Sequence, residues 1–290
     1  MIEEFMLLAN KTVAENVSKA KSNKKDIPFP YRIHDQPDEQ KLAPFIEFAK
    51  KYGHRFDISS PEKIAASFNQ MLADVNGKPE QHVLEQLGIR TMAKAVYSTE
   101  NIGHYGLGFQ YYCHFTSPIR RYPDVMVHRV LDSVLAGKPA VDKKMEEKCK
   151  HSSERERAAM EAERSSNKYK QVEFMRERLG EVFEGVISGV SSFGFWVETV
   201  AHKCEGLVSI TGLSDYDDFR LVEGDYSLVG RRSGRTFKMS DKVWIRVVAA
   251  NLDKRQLDYE WVIDGGRDNV EEKKHKPEGK TQKGKGRKKR

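Results

Sequence analysis

The sequence contains little cysteine and no long apolar run. Its three cysteines, Cys113, Cys149 and Cys204, form no CxxC pair and are odd in number, which disfavours both a disulfide framework and a thiolate zinc site. No stretch approaches the roughly 18 consecutive apolar residues of a membrane span. The first four residues, MIEE, are acidic where a secretory signal would be basic and then apolar. We therefore expect a cytoplasmic protein without a membrane partner.

Several enzyme signatures are also missing. The sequence has no Walker-type phosphate-binding loop, so nothing in it supports nucleotide hydrolysis. His104, His114 and His128 lack the HExxH pattern or another tight ligand spacing, which disfavours a zinc site. Ser117, Asp124 and His128 could be imagined as a hydrolase triad, but the GxSxG turn that carries such a serine is absent.

The positive charge is concentrated at one end. The 290 residues have a formal net charge of +7, and residues 265–290 alone hold eleven Lys or Arg against four Asp or Glu, which leaves 39 against 39 in residues 1–264. With almost no apolar residue, residues 264–290 are predicted to be a disordered, Lys/Arg-rich tail. A polycation of this kind attracts phosphate backbones, although a merely solubilising terminus is the alternative.

The hydrophobic periodicity predicts an α+β chain with a change of architecture at Gly180. Helical spacing predicts helices over residues 2–20, 38–51, 61–76, 80–94, 117–135 and 142–178. After Gly180 the period becomes 2, as in residues 193–197 and 243–247. About 80 residues with five plausible strands predict a small five-stranded barrel of the OB class.

One run in the first part combines residue types that suit a nucleic acid. Residues 104–124 contain glycines, several aromatic rings and the pair Arg120 and Arg121, and these supply close backbone approach, stacking faces and guanidinium groups for phosphate. The alternative is structural: the rings belong to the core and an arginine pairs with Asp124. Another acidic run, residues 215–218 (DYDD), superficially resembles a metal-binding sequence, but a solvated loop is the favoured interpretation.

Several motifs, in order and spacing, resemble those of the ribonuclease II / ribonuclease R family, whose catalytic unit is the RNB domain. They are residues 1–10 (MIEEFMLLAN), 95–97 (AVY), 101–107 (NIGHYGL) and 114–124 (HFTSPIRRYPD). Residues 181–262, with GVIS, FGFWV and EGLV, are similar to the S1-type RNA-binding barrel. The resemblance implies three parts: residues 1–179 as the mainly helical C-terminal part of an RNB catalytic domain, 180–263 as an S1-type OB-fold, and 264–290 as the tail.

The resemblance also implies an activity, namely Mg²⁺-dependent 3′-to-5′ degradation of single-stranded RNA to nucleoside 5′-monophosphates. The aspartates that bind Mg²⁺ in the family lie upstream of the motifs found in this sequence. We therefore expect a C-terminal fragment that lacks the metal ligands, binds RNA and does not cleave it alone. Single-stranded RNA is the expected partner, with an upstream half and ribosomes as further candidates. The alternative is an independent, non-catalytic RNA-binding module.

The resemblance assigns roles to individual residues. Arg120 matches the family arginine that contacts the scissile phosphate, and Glu163 is similar in position to a glutamate that orients the 3′ end. The expected RNA-binding residues are Glu4, Asn10, His104, Tyr105, Ser117, Pro118, Arg121, Phe193 and Phe195. Ser209 stands where the S1-type barrel usually carries a histidine, so one common stacking group is missing.

Overall fold

The computed structural model describes residues 1–22, 25–78 and 80–263. It divides into two units, Met1–Asn167 and a second that begins at Lys168. The mixture of helices with a closed five-stranded barrel confirms the predicted α+β class. The predicted tail lies outside the described residues.

The helices follow the apolar periodicity closely. They are α1 (Ile2–Lys19), α2 (Glu39–Lys50), α3 (Pro61–Val75), α4 (Gln81–Thr91), α5 (Tyr122–Leu135) and α6 (Met145–Arg176). The side chain of Asp38 caps α2, and that of Ser60 accepts from Lys63 N at 3.4 Å at the start of α3. Both side chains satisfy backbone N–H groups that have no partner inside a helix.

The start of α5 differs from the prediction. Residues 118–120 form a turn, and α5 begins five residues later than expected, at Tyr122. Pro123 lies in the first turn of α5, where its missing N–H removes no helical hydrogen bond. Pro118 disfavours helix at Ser117, because a residue before proline prefers an extended conformation. The Ser117–Arg121 segment is therefore a loop at the N-terminal end of a helix.

Short strands and the part of α6 up to Asn167 complete the first unit. The strands are β1 (Lys21–Ser22), β2 (Lys25–Asp26), β3 (Tyr31–Ile33) and β4 (Val96–Ser98). β3 pairs with β4 in antiparallel register. Arg32 of β3 binds Glu156 of α6 through two hydrogen bonds of 2.7 and 3.2 Å, and its guanidinium lies 4.6 Å from the centroid of the Tyr97 ring. A buried cluster that includes Ala14 and Cys113 joins α1 and α5 to these strands.

The second unit is a closed barrel. Its strands are β5 (Val182–Ser191), β6 (Gly194–Thr199), β7 (Glu205–Ser209), β11 (Lys242–Asn251) and β12 (Gln256–Val262). The order is β5-β6-β7-β12-β11, β11 pairs with β5 to close the barrel, and β7 runs parallel to β12. A five-stranded closed barrel is the architecture of the OB class, as predicted.

An additional sheet and a short helix lie between β7 and β11 in the chain. They are α7 (Ile210–Leu213), β8 (Phe219–Val222), β9 (Ser227–Gly230) and β10 (Thr236–Lys238). Phe237 of β10 packs against Phe195 at 4.7 Å and against Trp261 at 5.1 Å between ring centroids. The sheet thus shares an aromatic core with the barrel.

Candidate nucleic-acid interface

The loop between Ser117 and Arg121 is held by one buried carboxylate. Asp124, which is 0% exposed, accepts a hydrogen bond from the backbone N–H of Ser117 at 2.7 Å. Arg121 Nη2 donates to Asp124 Oδ2 at 2.9 Å, and Arg121 Nε lies 2.9 Å from Oδ1. Arg121 is therefore engaged inside the protein, as the structural alternative anticipated, and Pro118 and Ser117 lie partly exposed on the same loop.

Arg120 differs from Arg121 in its surroundings. Its backbone N–H donates to Ser117 O at 3.3 Å, but its exposed side chain makes no hydrogen bond or ion pair within the described residues. The adjacent Ile119 is fully exposed as well. The loop thus presents one uncompensated guanidinium to solvent on a fixed backbone.

The two predicted α1 residues are placed differently. Glu4 is exposed, whereas Asn10 is only 4% exposed. Asn10 Nδ2 donates to Tyr112 Oη at 3.1 Å, and Asn10 Oδ1 accepts from Phe115 N at 3.0 Å. This corrects the expected RNA-binding role of Asn10, because its buried amide is already used to position the segment that precedes Ser117.

His104 and Tyr105 line a cavity of about 790 Å³ in the first unit, together with Glu62 and Asn69. Burial, followed by the nearby charges of His34 and Arg32, lowers the pKa of His104 to about 4. Burial also raises the pKa of Tyr105. Both side chains are therefore neutral at neutral pH and offer ring faces and polar atoms without charge.

His114 is neutral for a similar reason. Burial, followed by the charge of Arg121, lowers its pKa to about 3, and its Nδ1 lies 2.8 Å from Tyr97 Oη. His128 Nε2 lies 3.0 Å from Phe115 O, and Asp124 binds the backbone of Ser117. These bonds do not form a serine hydrolase relay, in agreement with the missing GxSxG turn.

Glu163 lies on an exposed face of α6, and no hydrogen bond or ion pair joins it to another described side chain. Within residues 1–22, 25–78 and 80–263, no group of three or more His, Cys, Asp or Glu side chains is arranged to hold a metal ion. These residues therefore do not fit the Mg²⁺ that the resemblance implies. The absence of Mg²⁺ ligands from the whole chain stays a prediction.

The barrel presents an aromatic pair that differs from the predicted one. Phe193 is 52% exposed in the turn before β6, but Phe195 is 0% exposed and belongs to the core. Phe195 therefore cannot stack on a base, which corrects that assignment. The partly exposed Trp196 takes its place: its ring meets Phe193 edge to face, with centroids 5.2 Å apart. Gly189 leaves room for the indole, since a Cβ there would lie 3.3 Å from Trp196.

Residues 215–218 lie in a loop in which Asp215 and Asp218 are exposed, as the favoured interpretation expects, but Asp217 is buried. It is 1% exposed and accepts hydrogen bonds from the backbone N–H groups of Asp218, Arg232 and Ser233 and from the Ser233 hydroxyl. The two hydrogen bonds from Ser233 contribute most to holding the pKa of Asp217 well below its ordinary range. A Cβ on Gly230 would come within 2.5 Å of this carboxylate. The group is a structural anchor for the β9–β10 hairpin.

No helix in the described part of the chain combines the length and apolar character that a membrane crossing requires.

Comparisons with known proteins agree with these features. Residues 1–137 match the family model of the RNB domain. The chain is 39% identical over 267 residues to ribonuclease R of Aquifex aeolicus, covering 90% of this chain and 37% of the relative, and 40% identical over 271 residues to ribonuclease R 1 of Lactococcus lactis, covering 90% and 32%. The chain thus spans about a third of the length of these relatives.

Solved structures give the same result. The apo form of Mycoplasma genitalium RNase R superposes with a TM-score of 0.79 at 27% identity over 90% of this chain and 41% of that one. The same enzyme with ribose-methylated single-stranded RNA gives a TM-score of 0.78 at 28% identity and the same coverage. By family model, sequence and structure, this chain is similar to ribonuclease R, and its residues 1–137 match the RNB domain.

Proposed function

We propose that this chain is the RNA-binding part of a 3′-to-5′ exoribonuclease that degrades single-stranded RNA to nucleoside 5′-monophosphates. The observation that carries the proposal is the exposed, uncompensated Arg120 on a loop fixed by Asp124. The similarity to an RNase R solved with single-stranded RNA supports the choice of substrate.

Arg120 is suited to a phosphate for two reasons. A guanidinium presents a planar set of N–H donors that matches phosphate oxygens and stays charged at every physiological pH. Because the loop backbone is already fixed by Asp124 and Arg121, little reorganisation is needed when charge develops on the phosphate. His104 and His114 are neutral and add no positive charge.

The barrel supplies a second type of contact. Phe193 and Trp196 present neighbouring ring surfaces at the start of β6. Stacking of a base on such a ring is typically worth about 1–3 kcal/mol and tolerates any base, because every base has a π-face. We infer that this pair binds bases of single-stranded RNA, while Phe195 supports the core beneath it.

The resemblance implies hydrolysis that depends on Mg²⁺. Since the described residues form no such site, we assign no step to a metal and propose that the chain alone binds RNA without releasing mononucleotides. A cytoplasmic location and partnership with an upstream half or ribosomes stay predictions.

Fluorescence anisotropy with a labelled single-stranded oligonucleotide tests whether Arg120 contributes to RNA affinity. Arg120→Ala should weaken binding by about 10-fold or more, since a charge-assisted hydrogen bond contributes about 1.5–3 kcal/mol. Arg90→Ala, on the exposed last turn of α4, is the matched control and should bind as the unaltered chain does. Equal affinities of the two variants would contradict the role of Arg120.

The second candidate is an independent RNA-binding module, favoured by the Phe193–Trp196 pair, which can act without chemistry. The two candidates differ when the rest of a ribonuclease R polypeptide is added. Release of mononucleotides that requires Arg120 indicates an enzyme part. Unchanged binding without release indicates the module.

A further inference from the structure

Another group of exposed cations lies on the sheet of β8, β9 and β10, on strands that do not carry the Phe193–Trp196 pair. Residues 219–238 hold five Lys or Arg, at positions 220, 231, 232, 235 and 238, against two acidic residues, at positions 223 and 225. The segment therefore has a net charge of +3, while residues 1–264 as a whole are neutral.

Two of the five cations are neutralised by neighbouring carboxylates. Arg231 Nη1 lies 3.0 Å from Asp218 Oδ2, and Arg232 Nε lies 3.2 Å from the buried Asp217 Oδ1. Because these carboxylates come from the preceding loop, the pairs fix the β9–β10 hairpin and remove two guanidinium groups from competition for a ligand.

Of the other three cations, Arg220 and Lys238 define what we call the cationic surface, and Arg235 lies on the opposite face of the sheet, over Trp261. All three are exposed, and no hydrogen bond or ion pair within the described residues engages their side-chain nitrogens. The register places Arg220 opposite Val229 and Val229 opposite Thr236, and Lys238 follows two residues later. Arg220 and Lys238 therefore share one face of the sheet, with Cα atoms about 12 Å apart from strand spacing and rise.

Arg235 is held in place on the opposite face of the sheet. Its guanidinium lies 4.2 Å from the centroid of the Trp261 ring, a cation–π distance. Gly230 N donates to Arg235 O at 2.8 Å, so the backbone is fixed too. Because its guanidinium stacks on the core side of the sheet, Arg235 is not part of the cationic surface.

We propose that the cationic surface binds phosphate groups of single-stranded RNA, in addition to the contacts at Arg120 and the aromatic pair. The inference rests on the proposed RNA binding. Val229 and Thr236, which lie between the cations, are partly buried and offer neither an aromatic ring nor a pocket for a peptide side chain. The charge complementarity therefore favours a polyphosphate backbone over an acidic peptide.

The test compares the salt dependence of RNA binding in the full chain. Dissociation constants for oligo(U) and oligo(A) are measured by anisotropy between low and moderate KCl for the unaltered chain and for R220Q/K238Q. The control K170Q/K203Q removes two exposed lysines that are paired with Glu173 and Glu198, so it changes the net charge equally. Circular dichroism verifies that each variant is folded.

Each lost phosphate contact on a single strand reduces the slope of log K against log salt by about 0.7. The cationic-surface variant should therefore lose about 1.4 units of slope, equally for both oligonucleotides, while the control keeps the original slope. An unchanged slope in the cationic-surface variant, or an equal loss of slope in the control, would overturn the inference. Binding of poly(Glu) to the same proteins is measured as well. If the cationic-surface variant binds poly(Glu) more weakly but RNA as before, the inference is also overturned. If the unaltered chain binds neither oligonucleotide, the proposed function itself fails.

Discussion

Replacing Asp124 by asparagine should destabilise the first unit and loosen the loop that carries Arg120. The carboxylate receives the Ser117 N–H at 2.7 Å and two contacts of 2.9 Å from Arg121. Asparagine keeps one oxygen and turns an NH₂ group toward these donors. At least one contact is lost, and the Arg121 charge is left without its buried partner.

The size of the effect follows from burial. Removing one partner of a buried ion pair costs about 3–5 kcal/mol. Because the Arg121 side chain retains some exposure to water, we take the lower end, about 3 kcal/mol. With a urea m-value of about 2 kcal/mol/M, the unfolding midpoint of the first unit should fall by about 1.5 M.

The assay can separate the two units. All three tryptophans, Trp196, Trp244 and Trp261, lie in the second unit, whereas α1 to α5 lie in the first. Far-UV circular dichroism should therefore report the shift, while tryptophan fluorescence should not. RNA affinity should fall about 2- to 10-fold, because each newly mobile side chain costs about 0.5–1.5 kcal/mol to order.

Asp132→Asn, on an exposed position of the same helix, is the matched control. If both variants unfold at the midpoint of the unaltered chain, Asp124 does not hold the Ser117–Arg121 loop in place.

Two further predictions concern the barrel and the buried histidines. Phe193→Ala and Trp196→Ala should each weaken oligonucleotide binding about 5- to 150-fold, by anisotropy, whereas Phe195→Leu should lower barrel stability and leave affinity unchanged; an equal affinity loss in all three would contradict the assignment. Lowering the pH from 7 to 5 should destabilise the first unit by about 1–2 kcal/mol for each of His104 and His114, because their folded pKa values of about 4 and 3 lie below the ordinary 6.5 and the unfolded chain takes up protons first. Urea midpoints at the two pH values measure this loss of stability. The loss should be about half as large in His114→Gln, because only His104 then contributes; an unchanged loss would contradict the contribution of His114.

Much of the architecture could be predicted from the sequence because apolar periodicity and capping residues act locally. Ser60 and Pro61 mark the start of α3, and the change to a period of 2 after Gly180 marks the barrel. The predicted start of α5 was wrong because the helical spacing was extended through Pro118. Steric clash between this proline and the residue before it disfavours helix there.

The site was less accessible to sequence reasoning because it depends on which face of an element is buried. Alternation divides residues 193–197 into two sets but does not say which set faces the core; closure of the barrel places Phe195 inside and Trp196 outside. Asn10 and Asp217 were misjudged for a related reason, since their buried partners are distant in sequence.

We propose that this chain binds single-stranded RNA through Arg120 and the barrel but does not hydrolyse it alone. The most direct measurement incubates the unaltered chain and Arg120→Ala with uniformly labelled single-stranded RNA and Mg²⁺, and resolves complex and products in parallel. We predict a complex that is weakened in the variant, with no mononucleotide from either protein. Mononucleotide release by the unaltered chain that disappears in Arg120→Ala would contradict the claim.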